Sequence, residues 1–294
     1  MLILHLGLHK TGSSSIQLAL HTAPKLSSRV SLPQPGRPQT TESYRARLTS
    51  LQASTVDIFS DEGVLGHPSD GYVDAGSRLA LIQSVIESQS AKVFVYFRQT
   101  VDWLSSVYLQ EVQEGKLIDP TNFWELTRHH DLIHWDIFLE LLEDCIPPEQ
   151  LQIRLFQPQD DVVSDFFAHA QLGDPPYVGK RGIRANQSIA AIHAPILRAM
   201  NEHDSANPEL ITARRVLFQQ VLAASSPRML SPFPESLQLE MSNYYQASWN
   251  RLTEMMLRRD SQQGARFRDS ASAFSREPMP FAGADLGDAP IQAE

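Results

Sequence analysis

The sequence predicts an α/β fold: a three-layer sandwich with a central parallel sheet, continued by a mainly helical C-terminal half. Short apolar runs alternate with helix-length amphipathic segments as far as Phe156. The best strand, Lys92–Phe97, is β-branched, aromatic and continuously apolar, as a strand buried on both faces of a parallel sheet must be. From Asp161 onward the pattern turns almost wholly helical.

Taken in order, five of the first six residues are apolar and read as a short buried strand, and Ser13 to about Leu20 reads as a helix with Ile16, Leu18 and Leu20 supplying contacts. Pro33, Pro35, Gly36 and Pro38 make residues 31–41 a loop. Thr55–Phe59 reads as a strand whose tip carries Ser60, Asp61, Glu62 and Gly63. Further helices are expected over 75–89, 100–113 and 131–142, with a strand over 151–156. Four more helices follow at about 161–171, 188–202, 208–223 and 235–259. Residues 1–260 are expected to form one domain. Residues 261–294, rich in Ser, Gln, Gly, Ala and Pro, read as a disordered or loosely packed tail.

Bulk composition narrows the function classes. With 294 residues and 42% hydrophobic content the chain can bury a sizeable core. A net charge of −9 argues against general nucleic-acid affinity, which leaves a basic footprint. The single cysteine, Cys145, excludes an internal disulfide framework and reads as an inert packed thiol. No apolar run reaches the length of a membrane span, and the first strand begins almost at Met1 with no charged leader. The expected setting is therefore cytoplasmic.

The most informative stretch runs from Gly7 to Ser15. A strand, a glycine-bracketed loop and a hydroxyl-rich helix start are the parts of a phosphate cradle, in which loop N–H groups and the helix dipole face an anion. Its plainer reading is a tight turn with a serine cap. The nucleoside-triphosphate template has a lysine directly after the second glycine. Here Gly7 and Gly12 keep the template spacing, but Ser13 holds the lysine position and the lysine sits inside the loop at Lys10. A lysine there can approach the bridging oxygen of a two-unit anhydride, which favours a phosphosulfate over a triphosphate.

His9-Lys10-Thr11-Gly12-Ser13-Ser14-Ser15-Ile16 resembles the 5′-phosphosulfate loop of sulfotransferases that use 3′-phosphoadenosine-5′-phosphosulfate (PAPS), a P-loop-type fold like that of nucleoside-triphosphate hydrolases. His9 replaces the family's usual proline, as in bacterial members. A second motif resembles the family's 3′-phosphate site: a strand ending at Arg98, Ser106 eight residues later, and Tyr108 at a tyrosine position. Thr100 stands where a proline is common. A third segment, Gly179–Ser188 with Lys180, Arg181 and Arg184, resembles the basic loop that closes over the nucleotide, and also reads as a solvated loop.

The resemblance implies sulfuryl transfer from PAPS to a hydroxyl or amine on a small-molecule or carbohydrate acceptor, with no metal. Lys10 would stabilise or protonate the bridging oxygen, while Thr11, Gly12, Ser13, Ser14 and Ser15 would hold the 5′-phosphate. Arg98, Ser106, Lys180 and Arg181 would hold the 3′-phosphate end. Glu62 is the candidate base, with His9 and His5 behind it; a helix cap or a solvated carboxylate is an equal reading of Glu62. The acceptor is expected among residues 31–48, 62–74 and 114–130. A P-loop kinase or hydrolase, with Asp61 or Glu62 as the magnesium carboxylate, is the competing enzyme class. A catalytically inactive nucleotide- or glycan-binding relative is the third. His130 and His134 have a metal-ligand spacing, joined by His129, but read as surface or interface residues; Trp124 and Trp135 read as core or cleft wall.

Overall fold

The computed structural model describes residues 1–33, 40–52, 57–157, 160–176, 193–204, 209–210 and 231–263. Two compact units divide the chain, Met1–Leu252 and Thr253–Glu294. The sheet and site below belong to the first.

The sheet comprises β1 (Leu2–His5), β2 (Val30–Ser31), β3 (Ile58–Ser60), β4 (Ala91–Phe97) and β5 (Leu151–Leu155). Every pairing is parallel and the strand order is β2-β3-β1-β4-β5. β1 and β4 are apolar on both sides because helices cover both faces. The order leaves β1 in the middle, so its successive crossovers diverge to β3 on one side and β4 on the other. That divergence opens a crevice at the carboxyl ends of the strands, where ligands of such sheets bind.

On one face, α1 (Ser13–Thr22) and α7 (Val162–Ala170) bury Ile16, Ala19, Leu20, Phe166 and Phe167 against Ile3, Phe94 and Tyr96. On the other, α2 (Thr41–Gln52), α3 (Ala75–Ile86) and α6 (Trp135–Cys145) form a layer in which α2 packs on α3 and α3 on α6. Phe97 meets Trp135 and Phe138 there, with ring centroids 5.5 and 6.1 Å apart. The remaining helices are α4 (Thr100–Gln113), α5 (Pro120–Thr127), α8 (Ala194–Asp204) and α9 (Glu235–Gln263).

Three expectations need correction. The 31–41 loop begins with a strand, β2, that the proline run obscures. Helices α2 and α5 overlap the 31–48 and 114–130 segments, where no helix is expected. Tyr44, Leu48 and Leu51 are buried at helical spacing in α2. Asp119 caps α5 by accepting from Asn122 N–H at 2.9 Å, and Pro120 occupies its first turn. The helix expected from Asp131 starts instead with a 3-10 turn over Asp131–Ile133, and α6 proper begins at Trp135. The expected 208–223 helix, apart from residues 209–210, and most of the tail lie outside the described residues.

Candidate active site

Three neighbouring strand ends supply the site. β1 runs into the Gly7–Gly12 loop, β3 delivers Asp61 and Glu62, and β4 delivers Arg98. The loop is an extension of the sheet at its start: Tyr96 N–H donates to Gly7 O at 2.7 Å and Leu8 N–H to Tyr96 O at 3.3 Å. It then turns through left-handed backbone at Lys10 (φ 62°) and Gly12 (φ 86°). Glycine is required at Gly12, where a Cβ would also lie 2.6 Å from Val162 Cγ1. At Gly7 (φ 96°) a Cβ would lie 2.8 Å from Glu62 Cβ, so the β1 and β3 ends touch through this residue.

The loop binds itself through its hydroxyls. Thr11 Oγ1 and Ser13 Oγ both donate to Leu8 O, at 2.5 and 3.1 Å. Gly12 is the N-cap of α1, and no side chain caps it. The main-chain N–H groups of Lys10, Thr11 and Gly12 donate to no acceptor among the described residues. A left-handed turn that leaves successive N–H groups unpaired at a helix N-terminus is an anion nest. Ser14 and Ser15 follow on the first turn of α1, with Ser15 buried.

Two cations share this site. Arg98 Nη1 donates to Ser106 Oγ at 2.9 Å and to Lys10 O at 3.3 Å, and its guanidinium lies 5.7 Å from the Phe156 ring centroid. Its Nε is buried without an acceptor among the described residues, and burial lowers its pKa. Burial, and then the Arg98 charge, bring the Lys10 ammonium down to about 8 against the opposing pull of Glu114 and Glu62. Neither cation forms an ion pair among the described residues. Unpaired, partly buried cations are costly, and an anionic ligand relieves that cost.

The two β3 carboxylates divide their roles. Asp61 is buried, accepts from Gly63 N–H at 3.0 Å and pairs with Arg47 at 2.5 Å, while Arg47 also donates to Leu32 O at 3.0 Å. It is a structural cap. Glu62 accepts from the Gln17 side chain of α1, and burial raises its carboxyl above the usual range. Glu62 therefore bridges the β3 end to the helix that follows the loop.

His9 is held at both ends. Its carbonyl accepts from Trp103 Nε1 at 2.9 Å, and its Nδ1 lies 3.4 Å from Tyr72 Oη. Burial, then His67 and Lys10, bring its imidazole down to about 3, so it is neutral at ordinary pH and poorly suited to take a proton. His5 lies in the core, with Nδ1 2.7 Å from Ser60 Oγ and its ring against Tyr96 and Phe166, and burial brings it to about 3 as well. It does not reach the loop's ligand side.

Tyr108 packs on Phe123 and Phe233 and donates to Ile118 O at 3.3 Å. Thr100 is buried at the start of α4, whose cap is the Gln99 side chain, accepting from Asp102 N–H at 2.9 Å. Lys180, Arg181 and Arg184 lie outside the described residues. His130 and His134 flank the 3-10 turn rather than sharing a helix face: His130 packs on Gly71, and His134 lies against Tyr244 and Tyr245. Among the described residues no group of three His, Cys, Asp or Glu side chains is placed to hold a metal. Sequence reasoning missed Trp103 and the bridging role of Gln17. The tryptophan spacing carries no site signal by itself, but the Gln17 position, one helical turn past the loop serines, does.

No helix among the described residues is long and apolar enough to cross a membrane. No family model matches the chain, and no curated protein does. Among solved structures, a sulfotransferase from Alicyclobacillus acidocaldarius is similar over 86% of this chain and 94% of that one, at 12% identity and a TM-score of 0.40. So loose a superposition leaves the site to stand on its own geometry.

Proposed function

We propose that this chain is a sulfotransferase that moves a sulfuryl group from PAPS to a hydroxyl or amine, on a small-molecule or carbohydrate acceptor. The observation that carries the reading is the pairing of two anion sites. An N–H nest with Lys10 lies beside Arg98 and Ser106, which are joined through the Arg98–Lys10 O contact. A 3′-phosphorylated nucleotide with a 5′-anhydride has two separated anions to fill them; ATP leaves the second empty.

The residues fit such a donor. The Lys10, Thr11 and Gly12 N–H groups and the Ser13, Ser14 and Ser15 turn would hold the 5′-phosphate, and Arg98 with Ser106 the 3′-phosphate. Lys180 and Arg181 remain candidates for closing over it. In the transfer, the bond from sulfur to the bridging phosphate oxygen breaks as the acceptor oxygen or nitrogen bonds to sulfur. Lys10, poised near 8, offsets or protonates the leaving oxygen, and Glu62 takes the acceptor's proton. Of the two carboxylates that a kinase reading offers to magnesium at the β3 end, Asp61 is already engaged by Arg47, which leaves Glu62, held by the Gln17 side chain.

Calorimetric titration tests the assignment. Tight binding of 3′-phosphoadenosine-5′-phosphate without magnesium, together with transfer of label from PAPS in an acceptor screen, is the expected result. Magnesium-dependent ATP binding with no affinity for the bisphosphate overturns it.

A further inference from the structure

The two anion sites are held by a pair of tryptophans that neither motif contains. Trp103 on α4 and Trp135 at the start of α6 are both fully buried, and their rings meet edge to face with centroids 5.0 Å apart and an interplanar angle of 80°. Each indole spends its single N–H on a main-chain carbonyl of the site. Trp103 Nε1 donates to His9 O at 2.9 Å, and Trp135 Nε1 donates to Arg98 O at 2.7 Å. Surrounding rings fix them: Tyr72 lies 6.0 Å from Trp103, and Phe97 lies 5.5 Å from Trp135.

These bonds set the direction of N–H groups they never touch. In a trans peptide the C=O and the next N–H point opposite ways. Pinning His9 O to Trp103 therefore turns the Lys10 N–H away from α4, and pinning Lys10 O to Arg98 does the same for the Thr11 N–H. Both are among the groups left without an acceptor. Buried indole N–H groups require partners, so the packing of this pair and the aim of the nest are one constraint.

We infer that Trp103 and Trp135 are positioning residues: a paired-indole clasp that orients the loop N–H groups through His9 O and fixes the strand end that carries Arg98. The inference rests on the two-anion reading for its ligand but not for its geometry. Trp103 acts on the loop site and Trp135 on the Arg98 site.

The variants Trp103→Phe and Trp135→Phe keep an aromatic ring and delete the N–H. Amide hydrogen exchange, which needs no ligand, should show the loop's bonded Leu8 N–H, which donates to Tyr96 O, exchanging about tenfold faster in Trp103→Phe, with β5 unchanged. In calorimetry, Trp103→Phe should weaken adenosine 5′-monophosphate and the 3′,5′-bisphosphate by the same factor, about three- to tenfold. Trp135→Phe should weaken only the bisphosphate. Unchanged loop exchange in Trp103→Phe overturns the clasp, and so does an identical loss of both nucleotides in both variants. If the unsubstituted chain binds neither nucleotide, the sulfotransferase reading falls while the exchange arm still judges the clasp. Should a variant not fold, the unsubstituted chain decides: the Trp103 and Trp135 indole N–H signals must resist solvent exchange in nitrogen-edited spectra, and rapid exchange of either overturns the inference.

Discussion

Replacing Arg98 by alanine should erase the site's preference for a second phosphate while leaving the first in place. Arg98 presents a guanidinium whose Nη1 is shared between Ser106 Oγ and Lys10 O and whose Nε has no acceptor among the described residues. A charge-assisted hydrogen bond contributes about 1.5–3 kcal/mol, so the unsubstituted chain should favour the 3′,5′-bisphosphate over the 5′-monophosphate by about 10- to 150-fold. In Arg98→Ala that ratio should fall close to one. Arg98→Lys should recover only part of it, because an ammonium cannot fork onto two oxygens. Paired titrations of both nucleotides against the three chains read the ratio directly, and any common loss from the broken Lys10 O contact cancels. If the ratio survives while both affinities fall together, Arg98 is a brace for the loop and the second anion site does not exist. A second readout is independent of affinity. Arg98 helps hold the Lys10 pKa down, so its removal should move the Lys10 titration up from about 8.

Other outcomes follow from the same site. Lys10→Ala should abolish transfer with only a modest loss of nucleotide affinity, since the N–H groups remain; unchanged turnover in a rapid-quench assay removes Lys10 from the chemistry. The pH profile of kcat/KM should be bell-shaped. Activity falls on the acid side as Glu62, whose pKa burial raises, takes up a proton, and on the alkaline side as Lys10 loses its own near 8; Glu62→Gln should remove the acid limb. Gly7→Ala places a Cβ 2.8 Å from Glu62 Cβ at a left-handed position, so thermal unfolding should show a loss of about 1–3 kcal/mol and the acid limb should shift. His5 is held near 3 in the fold against 6.5 when exposed, so the unfolded chain binds more protons throughout that interval. Stability should therefore decline as pH falls below 6.5, by about 2 kcal/mol at pH 5 from this residue alone, in denaturant titrations.

Much of this was legible before the structure, and the legible part has a common physical origin. A parallel strand must be apolar on both faces and must end where its backbone leaves the sheet, so Val93–Phe97 announces both its burial and the place of Arg98 at its carboxyl end. The Gly7–Gly12 spacing is legible because left-handed backbone and a 2.6 Å approach exclude other residues. Where sequence reasoning failed, the determinant was contact between distant segments. α2 was hidden because its buried face is only Tyr44, Leu48 and Leu51 amid polar residues. The division of labour between Asp61 and Glu62 is invisible in the sequence, since both follow the same strand, and only the arrival of Arg47 from α2 commits one of them.

The same distinction explains why the paired carboxylates matter more than either alone. Asp61, held by Arg47 and the Gly63 N–H, fixes the backbone at the β3 end, and Gly7 packs against that backbone at Glu62 Cα. Glu62 is thereby set by three elements at once: β3 through Asp61, the loop through Gly7, and α1 through Gln17. A carboxylate so constrained loses little entropy on meeting an acceptor, and its raised pKa makes it a stronger base than a solvated one. Loosening the support most distant from the donor, by Arg47→Ala, should therefore lower kcat while leaving the affinity for the 3′,5′-bisphosphate unchanged. Because Arg47 reaches Glu62 only through Asp61, a parallel loss of bisphosphate affinity would mean that the β3 end supports the donor site itself, and Glu62 would no longer be the acceptor's base.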